Sequence, residues 1–177
     1  MSLRRLVPSD ASVHRALMLE AYAGHPDAFT SSASERAALP LAWWAARLSE
    51  EERADELVLG AFRDEQLAGA AGLSFETREK LRHKTTLFGM YVSARFRRHG
   101  LGRQLVDAAL VQARMRPEIR LAQLTVTHGN DAARRLYEQC GFVEFGREPF
   151  AVAVGNGFVS KVYMWCPLRI DADDACR

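Results

Sequence analysis

The sequence predicts an α/β (α+β) fold, a sheet with helices packed on it, and three observations point there. Two short apolar runs, 57–62 and 67–75, flank a charged four-residue turn, the pattern of an antiparallel hairpin. Two amphipathic helical segments, roughly 100–116 and 130–140, each follow a β-like run, so strands and helices alternate in the second half. The 177 residues, 48% of them apolar and 26% charged, suffice for one domain with a sizeable core.

Taken in order, Met1–Pro8 has two arginines but no long apolar run after them, and it reads as a short strand, not a leader segment. Pro8-Ser9-Asp10 starts a helix, because Ser9 or Asp10 can accept from the free N–H groups of a first turn. Val13, Ala16, Leu17 and Ala21 then recur at helical spacing, and Gly24-His25-Pro26 ends that helix. Ser31, Ser32 and Ser34 belong to a polar loop before a second helix, 40–49, which carries Trp43 and Trp44. Strands follow at 57–62, 67–75 and, after a basic loop, 85–93. The helix over 100–116 puts Leu101, Leu105, Ala109 and Leu110 on one face, and Pro117 stops it. A strand over 121–127 leads to a third long helix, capped by Asn130, in which Ala133, Leu136, Tyr137 and Cys140 share a face. Gly141 can take the left-handed conformation that ends it. Strands near 142–146 and 159–165 complete a set of about seven strands and about four helices. No internal repeat or linker interrupts it, so one domain is expected over 1–170, with a short tail at 171–177.

A net charge of +2 is too small to imply a nucleic-acid partner, and no stretch approaches the roughly 18 apolar residues of a membrane span. The basic loop 78–84 reads as a solvated run that could also steer an acidic acceptor. Cys140, Cys166 and Cys176 are odd in number and none stands at C-x-x-C spacing. Neither a disulfide framework nor a metal site is expected, and a reducing cytoplasm fits.

The most informative segment runs from Met90 to Arg103: a strand enters, a basic turn with two glycines follows, and a helix leaves. Helix N-termini carry free N–H donors and partial positive charge, so they attract phosphates. Gly100 and Gly102 let an anion reach the backbone, and Arg97, Arg98 and Arg103 add charge-assisted donors. A Walker-type loop would need a Lys after its glycine, and a dinucleotide fingerprint would need a small residue where Leu105 stands. What remains is R-x-x-G-x-G, as Arg97-Arg98-His99-Gly100-Leu101-Gly102. One helix later comes N-x-x-A-x-x-L-Y-x-x-x-G-F, with Asn130, Ala133, Leu136, Tyr137, Gly141 and Phe142 in register.

Together these two motifs resemble the two signatures of the GCN5-related N-acetyltransferases (GNAT). The resemblance implies the GNAT fold, a mixed, mostly antiparallel twisted sheet, with the turn at 97–103 wrapping the pyrophosphate of acetyl-CoA. The cofactor-binding set it implies is Met90, Tyr91, Val92, Arg97, Arg98, His99, Gly100, Leu101, Gly102, Arg103, Asn130 and Tyr137. It further implies that His25–Ser32 walls the acceptor site, and it allows a homodimer, since members often pair through their last strands or outer helices.

The implied chemistry is direct attack of an acceptor amine on the thioester. Backbone groups of Met90, Tyr91 and Val92 would hold the thioester carbonyl, and Tyr137 would protonate the departing thiolate, since unperturbed phenol and thiol pKa values lie within about two units. The amine must be neutral: at pH 7 that costs about 4–5 kcal/mol for a lysine-like amine and about 1 kcal/mol for an α-amine. Glu76, at the end of the third strand, is the first candidate base and Glu20 its rival. Tyr91 and His128 could act through water, and Trp43 and Trp44 could line an acceptor pocket. The absence of a compelling base also leaves room for a non-catalytic acyl-CoA-binding or regulatory domain on the same scaffold.

Overall fold

The hydrophobic patterning of this chain resolves into one seven-stranded sheet covered by helices on both faces. The structure, a computed structural model, describes residues 1–169, so the expected tail at 171–177, with Cys176, lies outside the described residues. The strands are β1 (Ser2–Arg5), β2 (Glu56–Arg63), β3 (Gln66–Phe75), β4 (Lys84–Val92), β5 (Leu121–Thr127), β6 (Val143–Val154) and β7 (Gly157–Pro167). The helices are α1 (Ala11–Gly24), α2 (Ala33–Ala37), α3 (Leu41–Ala46), α4 (Leu101–Arg114) and α5 (Asp131–Gln139). The sheet order is β1-β2-β3-β4-β5-β7-β6. Every neighbouring pair is antiparallel except β4 with β5. Among the described residues no helix is long and apolar enough to cross a membrane.

The alternation of side chains along each strand divides the core in two. Leu57, Leu59, Leu73 and Leu87 face α4 and α5, where Leu105, Val106, Ala109 and Ala113 are fully buried. Val58, Ala70 and Tyr91 face α1 and α3, against Met18, Ala21, Trp44 and Leu48. One layer therefore carries the two signature helices, and the other carries the N-terminal helices.

Three boundaries differ from the sequence expectation. The polar segment before the second helix contains a fifth helix, α2. Its N-terminus is a capping box: Glu35 N–H donates to Ser32 Oγ at 3.2 Å and Ser32 N–H donates to Glu35 Oε2 at 2.8 Å. The Ser-x-x-Glu signal was legible at 32–35, although no apolar run follows it. The helix expected over 40–49 closes earlier, at Ala46. The last hairpin is far longer than 142–146 and 159–165. It is turned by Gly155, in the left-handed region at φ +58°, and its outer strand is mostly exposed. A ladder held by backbone bonds at a sheet edge leaves little hydrophobic alternation to read.

The feature that positions the site is a fork between β4 and β5. Their pairing stops after Lys84–Thr86 with Leu121–Gln123, yet β4 runs on to Val92 and β5 to Thr127. On its other side β4 carries a bulge: Gly72 pairs with Phe88 but Ala70 pairs with Tyr91, and Gly89 within the extra stretch has φ +58°. Beyond Thr86 the edge of β4 that would face β5 is therefore unpaired.

Candidate active site

The mouth of the fork lies where α4 and α5 begin. The turn that enters α4 places Arg98 at φ +67° and Gly100 at φ +73° in the left-handed region, and α4 starts at Leu101. Turns that alternate right- and left-handed residues can aim successive N–H groups to one side, as anion-binding turns do. A Cβ at Gly100 would meet nothing nearer than Gln104 Nε2 at 3.9 Å, so the backbone there is open to a ligand. At Gly102 a Cβ would come within 3.1 Å of both Leu136 Cδ2 and Met90 Cε, so a larger residue would push α4 from α5 and β4. Across the mouth, Asn130 caps α5 by accepting from Ala133 N–H at 3.2 Å.

These elements enclose a cleft of about 770 Å³. It is lined by Met90, Tyr91, Val92, Arg97, Arg98, Gly100, Leu101, Gly102, Arg103 and Asn130. His99 is absent from the lining, because its ring turns back to the Arg97 carbonyl, 2.8 Å from Nδ1. Arg97 also faces inward: its Nε donates to Val92 O at 3.0 Å, its Nη2 lies 2.9 Å from His25 Nε2, and the guanidinium sits 5.6 Å from the Tyr91 ring centre. It ties the turn to β4 and to the end of α1. Only one carboxylate, Asp27, is among the lining residues, so the donor set suits a polyanion.

Tyr137 lies one space further in. A cavity of about 210 Å³ within the fork is lined by Phe88–Met90 of β4, Thr125–Thr127 of β5, Tyr137 and Lys161. The Tyr137 ring is 8% exposed and packs edge-on against Phe142, and burial pushes its pKa up to about 12. The phenol is thus a weaker acid than the two-unit gap expected from the unperturbed values.

Lys161 escaped the sequence reading, since a lone lysine in a strand carries no positional signal. It is 4% exposed, and Nζ donates to Ala28 O at 2.8 Å and to Thr127 Oγ1 at 2.7 Å. Thr127 Oγ1 in turn donates to Asp27 O at 2.7 Å. The pair clamps the segment after α1 onto β5 and β7, and burial lowers the lysine pKa.

A third cavity, of about 150 Å³, lies on the α1 face, lined by residues of α1, α2, α3 and the sheet, Trp43 and Trp44 among them. It shares Phe88 and Gly89 with the fork, and Phe29 lines all three spaces.

The two candidate bases separate. Neither carboxylate is among the lining residues of these cavities, and Arg78 holds that of Glu76 at 3.0 Å. For Glu76 the reason is strand direction: β3 runs against β4, so its C-terminal end, Phe75, pairs with Thr85 at the start of β4, remote from Met90–Val92. Glu20, on α1, accepts from Tyr91 Oη at 3.0 Å and from Ser93 Oγ at 2.8 Å. Burial, and then the hydrogen bond to Glu20, raise the Tyr91 pKa. His128 is exposed in the loop before α5, its N–H donating to Ser160 O at 2.9 Å.

The match to known proteins agrees with this geometry. The model of the Acetyltransferase (GNAT) family matches residues 16–142, from within α1 to just past α5, and so spans both signatures. Among solved structures, an acetyltransferase of the GNAT family from Streptococcus pneumoniae is 25% identical, with a TM-score of 0.84 over 94% of this chain and 98% of its own. The Salmonella typhimurium protein yncA, whose structure holds its cofactor acetyl-CoA, is 20% identical, with a TM-score of 0.80 over 97% and 96%. A ribosomal-protein-alanine N-acetyltransferase from Brucella melitensis is 22% identical, with a TM-score of 0.77 over 94% and 99%. With nearly three quarters of its length matched by the family model, and with the fork and turn in place, the chain belongs to the GNAT family of acetyltransferases.

Proposed function

We propose that the protein is an acetyl-CoA-dependent N-acetyltransferase that moves the acetyl group to a primary amine by direct attack. The observation that carries this is that three spaces share Phe29 as a lining residue: the cleft at the turn before α4, the narrow fork and a separate aromatic cavity. An acyl donor entering from one side and an acceptor from the other would meet at the bulge of β4.

Acetyl-CoA supplies the acyl group activated as a thioester. The N–H groups of the turn Arg98–Gly102, the first turn of α4 and the Arg103 guanidinium bind its pyrophosphate. Arg97 braces that turn, and His99 adds its backbone. The free edge of Met90, Tyr91 and Val92 holds the chain leading to the thioester and polarises its carbonyl, and Asn130 closes the opposite wall. The amine lone pair forms the new C–N bond as the C–S bond breaks. Tyr137 meets the thiolate as a hydrogen-bond donor: at a pKa of about 12, full transfer to a thiolate of ordinary basicity would run uphill by about 5 kcal/mol. Glu20, through the hydroxyl of Tyr91, takes up the proton of the amine. Glu76, held by Arg78 and at the far end of β3 from this edge, is not assigned that role.

Calorimetric titration with acetyl-CoA, with free CoA for comparison, tests the proposal, followed by thiol release in the presence of amines. Saturable one-to-one binding and amine-dependent thiol release are expected. Failure of the folded protein to bind either ligand at millimolar concentration overturns the proposal. Binding without thiol release from any amine would favour the non-catalytic acyl-CoA-binding domain.

A further inference from the structure

The cavity on the α1 face holds charges that the acetyl-transfer chemistry does not use. Two guanidiniums, Arg36 and Arg47, reach its wall, and no Asp or Glu is among its lining residues. Both lie against aromatic rings: Arg36 sits 4.8 Å from the Trp43 ring centre, and Arg47 sits 4.9 Å from the same ring and 5.5 Å from Phe88. Stacking of this kind orients the planar fork and leaves its N–H edge for an anion.

Among the described residues, three buried nitrogens of residues lining this cavity make no hydrogen bond: Arg36 Nε, Trp44 Nε1 and His14 Nδ1. Trp44 is 2% exposed and His14 7%. Arg36 Nε and Trp44 Nε1 can only donate. A buried donor without a partner is costly, so acceptor atoms brought beside these groups would stabilise this wall. Its charge also sets what kind of ligand. Glu56 pairs with Arg47 at 2.8 Å, and His14 is neutral, its pKa lowered to about 4 by burial. Among the described residues Arg36 has no ion pair within 4.0 Å, its sequence neighbour Glu35 acting on it only at longer range, which suits a monoanion. Met18, Tyr22, Val58 and Phe88 supply its apolar wall beside Thr30 and Ser31, and its 150 Å³ matches a benzene-sized group.

We infer that the amine acceptor is a small amino-acid-like molecule, whose carboxylate sits on Arg36 and Arg47 and whose apolar body fills the cavity behind Phe29. This rests on the acetyltransferase reading. The carboxylate then anchors the acceptor beside Arg36 and Arg47, with the amine directed toward Gly89, which this cavity shares with the fork. A polyamine or the side chain of a protein lysine would bring a second cation, or none of the needed acceptors, against the two guanidiniums.

The test uses matched pairs in the thiol-release assay: L-phenylalanine against phenethylamine, and L-methionine against 3-(methylthio)propylamine. O-phosphoethanolamine serves as the phosphate-bearing comparison. The carboxylate member of each pair should exceed its decarboxylated partner in kcat/KM by about 10- to 100-fold, the range of one charge-assisted hydrogen-bonded pair. Arg36→Gln should bring that ratio to within about threefold, with acetyl-CoA affinity unchanged. Equal or better turnover of the decarboxylated amine by the wild-type protein overturns the inference, and so does a preference for O-phosphoethanolamine. If acetyl-CoA binds but no amine reacts, quenching of Trp43 and Trp44 fluorescence by N-acetyl-L-phenylalanine against N-acetylphenethylamine decides it. Tighter binding of the carboxylate supports the anion seat, and equal or absent binding removes it. Failure to bind acetyl-CoA, by contrast, defeats the acetyltransferase reading and is seen in a separate titration.

Discussion

Burying His14 as a neutral ring couples the stability of this protein to pH. The ring is 7% exposed and stands edge-on to Trp44, 5.7 Å between centres. Desolvation first, and then the nearby Arg47, lower its pKa from 6.5 to about 4, while Asp10 pulls weakly the other way. In the unfolded chain the imidazole takes up its proton as pH falls through about 6.5; in the folded protein it does so only near 4. Between those values unfolding takes up a proton, so the stabilisation present above about pH 6.5 is lost as pH falls toward 4. The two pKa values give a loss of about 1.4 kcal/mol at pH 5.5 and about 2 kcal/mol at pH 5, relative to pH 7.5. His14→Phe keeps the edge contact to Trp44 and cannot titrate. Urea unfolding of both proteins at pH 7.5, 6.5, 5.5 and 5 measures the effect, the difference in unfolding free energy between them narrowing or reversing by those amounts on acidification. Curves that stay parallel across the series would refute the assignment of a neutral, desolvated His14.

Three other perturbations have defined outcomes. Glu20→Gln should lower kcat/KM for an amine by about 10²- to 10⁴-fold, as loss of a general base does, and Glu76→Gln should leave it within about twofold; the opposite ranking restores Glu76. Tyr137→Phe should cut kcat about tenfold or more with acetyl-CoA affinity unchanged by calorimetry, and the wild-type pH–rate profile should show no alkaline limb from this phenol below about pH 12; unchanged turnover removes Tyr137 from the reaction. Lys161→Met leaves the Ala28 carbonyl, now 2.8 Å from Nζ, without its buried donor. It should cost about 2–4 kcal/mol and lower Tm by roughly 5–15 °C, with a raised KM for acetyl-CoA because residues 27–29 line the cleft; a Tm equal to that of the wild type would show that Lys161 clamps nothing.

The turn and helix caps that shape the cleft were legible because they are local. The turn before α4 is written in consecutive residues, Arg97 to Arg103, and the cap of α5 lies at Asn130, where a single side chain closes the first turn. Helix periodicity likewise marked α4 and α5, whose buried faces repeat every three to four residues. The chain therefore announced the GNAT fold and the mouth of its cleft through short-range rules of spacing, capping and backbone freedom.

The rest depends on residues far apart in the chain, and only the tertiary structure decided it. In one dimension Glu76 is the first candidate and Glu20 its rival; antiparallel pairing carries Glu76 to the start of β4, and the packing of α1 brings Glu20 to Tyr91 and Ser93. The pKa of Tyr137 depends on what buries it, not on its neighbours in sequence. Lys161 meets Ala28 across more than a hundred residues. The pairing of Arg36 and Arg47 around Trp43 joins two short helices over the sheet. Spacing along a chain encodes turns and helix faces, whereas solvation, charge pairing and cavity walls arise only when distant elements meet.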